Sequence, residues 1–396
     1  MLLLVAIVFT IILAGAEVDI FTPSFPELQR HFGLTPFMVQ LTLSMNFVGY
    51  CASSLYVGPL GDRYGKRPII LGSLIIFIVG SIFCLAAPTY WILILGRLLQ
   101  GLGMSGPAVL AFVIIADVYP LERQASLMGT MNGLIAFSMA LAPVIGSFVN
   151  LYYGWRGNFF VLFAISIISF GLCYWALPHD KPNPAAKVSL TSYIPLMKSK
   201  LLMKYVFAIC FAISGYWVFI GISPILYMED LNVKLEHFGF YQGVTAGAFA
   251  LISTISPLFL KRYGPTKCLK VGTIITTLGA LSLLFTGMFI PDHPMIITAL
   301  MVVHTLGLVF PVNILYPISL SIFPEDKGKA AALVSAGRLI IIAIVLEFLG
   351  YIYSGTFYSL GIFIGLVTLG GFVIIRSLPQ WKKHYEISSQ DNRTSA

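Results

Sequence analysis

The chain has 396 residues, 58% of them hydrophobic and only 10% charged, with a mean hydropathy of +0.90 and a formal net charge of +8. A soluble domain carries about a quarter of its residues as charges, so this composition excludes a water-soluble globular protein and implies a chain that crosses a membrane repeatedly. The basic excess is no nucleic-acid footprint, because membrane proteins gather Lys and Arg in their cytoplasmic loops. Cys51, Cys84, Cys173, Cys210 and Cys268 fall in or beside apolar runs with neither a C-x-x-C nor a neighbouring His. They read as small packing residues, and no metal or cofactor site is expected.

Apolar runs of about 20 residues, enough to cross a hydrocarbon core of about 30 Å, predict twelve spans: 2–22, 37–58, 69–87, 90–117, 124–150, 157–177, 203–227, 236–260, 268–290, 294–322, 330–352 and 355–376. Nothing at the start resembles a cleaved leader, so Met1 opens the first span. With Met1 on the cytoplasmic side, the even connections and the tail carry nineteen of the 24 basic residues and the outer loops only Arg30, Arg156 and Lys234. Both termini are therefore expected in the cytoplasm. The Pro- and Lys-rich stretch 178–202 separates a first six-helix half, 1–177, from a second, 203–378, and a polar tail follows over 379–396. A weak internal repeat supports the division. Arg63-Tyr64-Gly65 after span 2 recurs as Arg262-Tyr263-Gly264 after span 8, and Tyr119-Pro120-Leu121-Glu122-Arg123 after span 4 parallels Phe323-Pro324-Glu325-Asp326-Lys327 after span 10. The expected fold is all-α and polytopic, with two pseudo-symmetric six-helix bundles around a cavity, the architecture of a secondary transporter.

An ionisable side chain within a span is costly and marks function by default. The candidates are Glu17 and Asp19 in span 1, Arg97 in span 4, His304 in span 10, and Arg338 and Glu347 in span 11. An acid and a base on different helices can neutralise each other, and protonating the acid releases the base. Asp19 with Arg97 is therefore read as a proton switch, the alternative being a permanent ion pair between helices. On a continuous helix Glu17 lies about 200° round from Asp19, so the two carboxylates are expected on different faces, one on the cavity and one between helices. Arg338 either faces the cavity, attracting anions, or reaches toward the cytoplasm. His304 is read as a hydrogen-bonded packing residue.

The stretch Gly58-Pro59-Leu60-Gly61-Asp62-Arg63-Tyr64-Gly65-Lys66-Arg67 resembles the signature loop of the major facilitator superfamily, a charged cytoplasmic turn. The run Arg97-Leu98-Leu99-Gln100-Gly101-Leu102-Gly103 is similar to that superfamily's span-4 pattern, whose Arg is associated with proton coupling. Asp19-Ile20-Phe21-Thr22-Pro23-Ser24-Phe25-Pro26 resembles the end of span 1 in the bicyclomycin-resistance (Bcr/CflA) branch of drug:proton antiporters, which puts Asp19 at the family's acidic position. Gly129, Ser138, Ala142, Pro143, Gly146 and Ser147 resemble the antiporter motif of span 5, with three glycines replaced by small residues; a small-residue packing face accounts for them equally. The resemblance implies that Asp62, in the gate loop with Gly58, Arg63, Gly65 and Arg67, makes contacts holding the cytoplasmic side closed, and that Asp19 and Arg97 handle the proton; Glu17 is a further proton-coupling candidate by its place in span 1.

Asn46, Tyr50, Asn132, Phe137, Tyr216, Trp217, Tyr241 and Arg338 are the candidate cavity residues. An enzymatic reading has one foothold, Gly103-Met104-Ser105-Gly106, a G-x-S-G as in intramembrane proteases, but span 6 holds no His to activate the Ser. No phosphate-binding loop is present. A passive channel is disfavoured by the repeats. The expected function is proton-coupled export of small organic molecules or drugs across the inner membrane by a monomer; the alternative is a symporter or facilitator for uptake of an anionic nutrient through Arg97 and Arg338.

Overall fold

The computed structural model describes residues 2–179, 182–183, 189–289 and 293–382. Beyond Lys382 the expected tail lies outside the described residues, as do Lys181 and Lys187 of the expected linker. Among the described residues there is no strand. The long helices are α1 (Leu2–Ala16), α3 (Pro36–Tyr64), α4 (Lys66–Ala86), α5 (Tyr90–Val118), α6 (Leu121–Ala176), α8 (Lys200–Ile225), α9 (Leu235–Tyr263), α10 (Pro265–Phe289), α11 (Pro294–Ser321), α12 (Lys327–Ile352) and α13 (Phe357–Arg376). Short helices α2 (Phe25–Phe32), α7 (Ile194–Lys198) and α14 (Pro379–Lys382) lie between or after them.

Nine of these helices are long and apolar enough to cross a membrane. The count becomes twelve spans because α6 is two spans in one, because α1 is short, and because α3 is rich in polar residues. The 56-residue α6 bends at Gly154, whose φ of +67° and ψ of −177° break the helix. The first amide beyond the bend, Trp155 N–H, donates to Glu27 Oε2 at 2.9 Å, an acid capping a helix N-terminus.

Two turns carry the internal repeat into the backbone. Gly65, at φ +94° and ψ +149°, is the single residue between α3 and α4, and Gly264, at φ +79° and ψ +155°, is the single residue between α9 and α10. Side chains other than hydrogen rarely adopt that conformation, so Arg-Tyr-Gly is a hairpin device used once in each half. The expected turn from Gly58 is shorter than the sequence suggests: α3 stays helical through Gly58 and Pro59 to Tyr64, since Asp62 and Arg63 are exposed and a helix can continue past the hydrocarbon.

Within the first half α3 packs on α5, α4 on α5 and α1 on α6; within the second α8 packs on α13 and α10 on both α11 and α13. The halves meet along two seams, α3 against α12 and α6 against α9. Both seams close at the end of the molecule opposite the basic Arg-Tyr-Gly turns. Gly239 of α9 lies so near α6 that a Cβ on it would stand 2.6 Å from the Pro143 carbonyl and 2.7 Å from Ser147 Oγ, and one on Gly350 of α12 would stand 2.9 Å from Phe37 Cα. Toward the basic end, by contrast, Gly129 and Gly133 of α6 have nothing within 4 Å of the corresponding position.

Small residues set the helix spacing, as expected where lipid gives no hydrophobic drive between helices. Gly101 is the extreme: a Cβ there would sit 1.9 Å from the Asn46 carbonyl oxygen, backbone against backbone. Gly101→Ala must push α5 from α3. Overpacking of this kind costs about 1–3 kcal/mol, expected as a clear fall in Tm of the detergent-solubilised protein, whereas Gly129→Ala should leave Tm unchanged.

Candidate functional site

The first span is broken. Helix α1 stops at Ala16, 15 residues or about 22 Å long, and residues 17–21 form a turn leading into a short 3₁₀ segment, Thr22–Ser24. The expected continuous helix to 22 is corrected here. Gly15 and Gly146 let the turn press onto α6, where a Cβ on Gly146 would stand 2.1 Å from the Ile20 carbonyl. Irregular backbone at membrane depth is tolerated only where protein or a cavity surrounds it, and this turn carries both acids of span 1.

Glu17 and Asp19 are 4% and 1% exposed, so neither faces open space. They do point to different surroundings. Glu17 lies beside Asn46 and within electrostatic reach of Arg97. Asp19 is felt by Tyr216 of α8, in the other half. Arg97 is fully buried; its Nε donates to the Thr42 carbonyl at 3.3 Å and its Nη1 to Gln100 Oε1 at 2.7 Å. Its guanidinium carbon lies 5.0 Å from the Phe21 ring centre and 6.0 Å from that of Phe159. No carboxylate among the described residues forms an ion pair with it, so the Asp19–Arg97 pair drawn from sequence is not a direct contact, and Glu17 is the acid that Arg97 feels. Four atoms of the group, Glu17 Oε2, Asp19 Oδ1, Asn46 Oδ1 and Arg97 Nη2, are buried without a hydrogen-bond partner.

A second polar group ties the turn to the other half. Thr22 Oγ1 lies 3.0 Å from the Asp19 carbonyl and 3.0 Å from the Gln242 side chain of α9. The Gln242 atom in contact is Oε1, so both neighbours are acceptors sharing the one Thr22 hydroxyl proton, while Gln242 Nε2 is buried without a partner. Near them the Tyr216 hydroxyl, fully buried against Phe249 at 5.5 Å between ring centres, has no partner. Trp217 crosses the α3 side, its ring 5.3 Å from Phe47.

The remaining candidates are distributed as follows. Glu17, Arg338 and Tyr316 each lie within electrostatic range of Tyr50, placing residues of both halves around it, and Arg338 Nε is buried without a partner. Asn132 and Phe137 are exposed. The Tyr241 ring is tilted against that of Tyr227 at 5.4 Å between centres, and Tyr241 lines a 670 Å³ groove between α9 and α11 with Phe240, Val244, Met295 and Thr298. His304 Nδ1 meets the Thr276 carbonyl at 3.1 Å, as a packing histidine does. At the basic end Lys66 pairs with Asp117 at 2.8 Å, Arg67 reaches His179 and the Tyr174 carbonyl, and the Asp62 carbonyl accepts from Asn183 N–H at 3.0 Å. All five cysteines are buried and free, and no group of His, Cys, Asp or Glu among the described residues could hold a metal.

Several of these partners went unnamed at the sequence level. Gln40 donates to the Gly221 carbonyl at 2.8 Å and Ser44 to the Ala343 carbonyl at 3.3 Å, both across the halves. Their signal was available: Gln40 and Ser44 are four apart, one polar ridge on an otherwise apolar helix face.

The sequence matches the family model described as Major Facilitator Superfamily over residues 7–345. It is similar to the multidrug resistance protein MdtL of Escherichia coli O139:H28, with 25% identity over 266 residues covering 67% of this chain and 68% of the relative. It is also similar to a bicyclomycin resistance protein homolog of Haemophilus influenzae, with 24% identity over 276 residues covering 68% and 69%. In fold it resembles a D-xylose–proton symporter at TM-score 0.76 and 14% identity, over 96% of this chain and 98% of the other. It likewise resembles a bacterial homolog of the lysosomal transporter Spinster, solved inward-facing and unoccupied, at TM-score 0.78 and 15% identity over 98% of both chains. With twelve spans in two six-helix bundles and a family match across most of its length, the chain is a multi-pass membrane transporter, not an enzyme, and belongs to the Major Facilitator Superfamily.

Proposed function

We propose that the chain exports small organic molecules or drugs by alternating access in exchange for protons, from the cytoplasmic membrane, with both termini in the cytoplasm. The observation that carries this is the broken end of span 1. It holds two buried carboxylates without full hydrogen bonding, one under the field of Arg97 and the other turned to the opposite half. A group so placed is costly as an ion and cheap as an acid, so its protonation is coupled to whatever opens or closes the contact between halves. The drug-resistance relatives favour export.

In this reading the basic turns lie in the cytoplasm and the seams are closed to the outside. Substrate enters the locus of Tyr50, Arg338 and Glu17 from the cytoplasm. Rocking of the halves parts α6 from α9 and α3 from α12 and breaks the Thr22–Gln242 contact. Asp19 then meets external water and takes a proton while substrate leaves. The reverse rocking brings the acid back beside Tyr216, and the proton is released inward as the next substrate binds. Gly58, Asp62, Arg63, Gly65 and Arg67 act at the cytoplasmic mouth, and 178–202 tethers the halves.

The test is lumenal pH in proteoliposomes with an acidic interior, while cationic, neutral and anionic solutes are added outside. Solute-triggered alkalinisation of the lumen is the expected result, and its absence for every transported solute sinks the antiport. A second reading, uptake of an anionic nutrient, draws on the unpartnered Nε of Arg338; it predicts acidification of the lumen together with solute entry under the reverse gradient.

A further inference from the structure

Glu347 takes no part in that cycle, yet it is a half-buried acid whose carboxyl oxygens are closed off inside the contact between halves. At 1.5 Å per residue it stands about 30 Å along α12 from Lys327 and about 7 Å short of Ile352, inside the closed α3–α12 seam. Ala343, one turn before it, accepts the Ser44 hydroxyl, and Gly350, nearly a turn after it, abuts Phe37 and Gln40. Both Glu347 carboxyl oxygens are shut off from solvent, and neither has a hydrogen-bond partner.

No compensating charge faces it. Ser44 is beside it, its hydroxyl within hydrogen-bonding reach of the carboxyl and 3.3 Å from the Ala343 carbonyl that it donates to in this state. From α5, Tyr90 is in electrostatic range, and its hydroxyl donates to the Met38 carbonyl at 2.8 Å. The facing stretch of α3, Phe37 to Phe47, and α8 at Gly221 contribute no ionisable group. At the rim Arg30 pairs with Glu229 at 2.6 Å, and Tyr353 donates to Asp230 at 2.5 Å. No Lys, Arg or His among the described residues pairs with Glu347. A carboxylate ion with no counter-charge and at most one shared hydroxyl donor is strongly disfavoured in such a place, whereas the same group in contact with water ionises at ordinary pH.

We propose that Glu347 is a second proton-binding site, filled and emptied only from the face opposite the basic turns, whose proton lets the α3–α12 seam shut and is not carried across the membrane. The proposal rests on alternating access alone, not on the direction of transport or on Asp19. The open state loses the proton above the ordinary carboxylate range, near pH 4, and the closed state keeps it. Closure is then favoured at low external pH and weakens by up to about tenfold per pH unit as pH rises through the range where only the closed state holds the proton.

The experiment places spin labels at Tyr152→Cys and Tyr351→Cys, whose native side chains are 74% and 80% exposed at the closing end of the two halves. A cysteine-free background in lipid nanodiscs carries the Asp19→Asn change, so that the other seam acid no longer titrates. Distances are measured from pH 5 to pH 9. With Glu347 intact the short-distance population should fall as pH rises; in Glu347→Gln it should stay high throughout, and in Glu347→Asp the pH response should return. Glu347→Leu serves the same purpose if the Gln variant does not fold. A pH response unchanged in Glu347→Gln or Glu347→Leu overturns the proposal. So does a change in protons moved per solute in Glu347→Gln proteoliposomes otherwise native at Asp19, because the lock proton returns to the side it came from. Failure of proton-coupled export would leave the distance measurement standing.

Discussion

Replacing Asp19 with Asn is expected to reduce gradient-driven transport to equilibration while leaving solute exchange across the membrane intact. The side chain keeps its size and its hydrogen-bonding capacity, so the turn after Ala16 should fold as before, and Thr22 still finds the residue-19 carbonyl. What disappears is the ability to hold a proton on one side and lose it on the other. An antiporter without a titrating carrier can still rock, and substrate then moves down its own gradient in either direction. The measurement pairs pH-driven accumulation with substrate counterflow in the same proteoliposomes. Loss of the first with retention of the second locates coupling at Asp19. Normal accumulation would remove Asp19 from the proton path, and loss of both would mean that the substitution blocks the rocking itself. Glu17→Gln is the informative companion. Its carboxylate lies beside Asn46 in the field of Arg97, so its loss should lower pH-driven accumulation too, while substrate counterflow persists as in Asp19→Asn.

Much of this arrangement was legible in the sequence because the bilayer leaves few options. Apolar run lengths, the one-sided distribution of Lys and Arg, and the recurrence of Arg-Tyr-Gly lead to twelve spans and paired halves, and Gly65 and Gly264 do share a backbone conformation. The end of α1 was not legible. Val18, Ile20 and Phe21 continue the apolar run past Ala16, so hydropathy alone extends the helix. It stops because the Ile20 carbonyl is pressed on Gly146, more than a hundred residues away, a contact invisible to local propensity. The same limit explains the acid–base assignment. A helix wheel built on a continuous span places Glu17 and Asp19 on different faces, but the span is broken there, and the break decides which one turns to Arg97. Charged residues also misled at the hairpin: Asp62 and Arg63 end the hydrocarbon segment without ending the helix.

Arg97 offers the sharpest separation of structural from functional burial. Its guanidinium ties four elements together, accepted by Thr42 of α3 and Gln100 of α5 and set near Phe21 of the turn and Phe159 of α6. Lys cannot reproduce a planar group that bonds in two directions and lies along aromatic faces, so Arg97→Lys should retain the buried charge, lose its partners and cost about 3 kcal/mol or more, on the scale of a broken buried polar pair. Arg97→Met removes the charge along with its desolvation penalty. Since Arg97 Nη2 already lacks a partner and no carboxylate among the described residues pairs with it, replacement by an apolar chain of similar length should leave Tm equal to or above that of the native protein. Transport driven by a pH gradient should nevertheless vanish in Arg97→Met, because Glu17 would lose the charge that distinguishes its ionised form from its neutral one. Thermal unfolding and proton-driven transport measured on the two variants therefore separate two roles. A stable, inactive Met variant beside an unstable Lys variant means that the charge is kept for the proton cycle at the expense of stability. An unstable Met variant that still transports would make Arg97 a strut, and the coupling would then have to reside in the two acids alone.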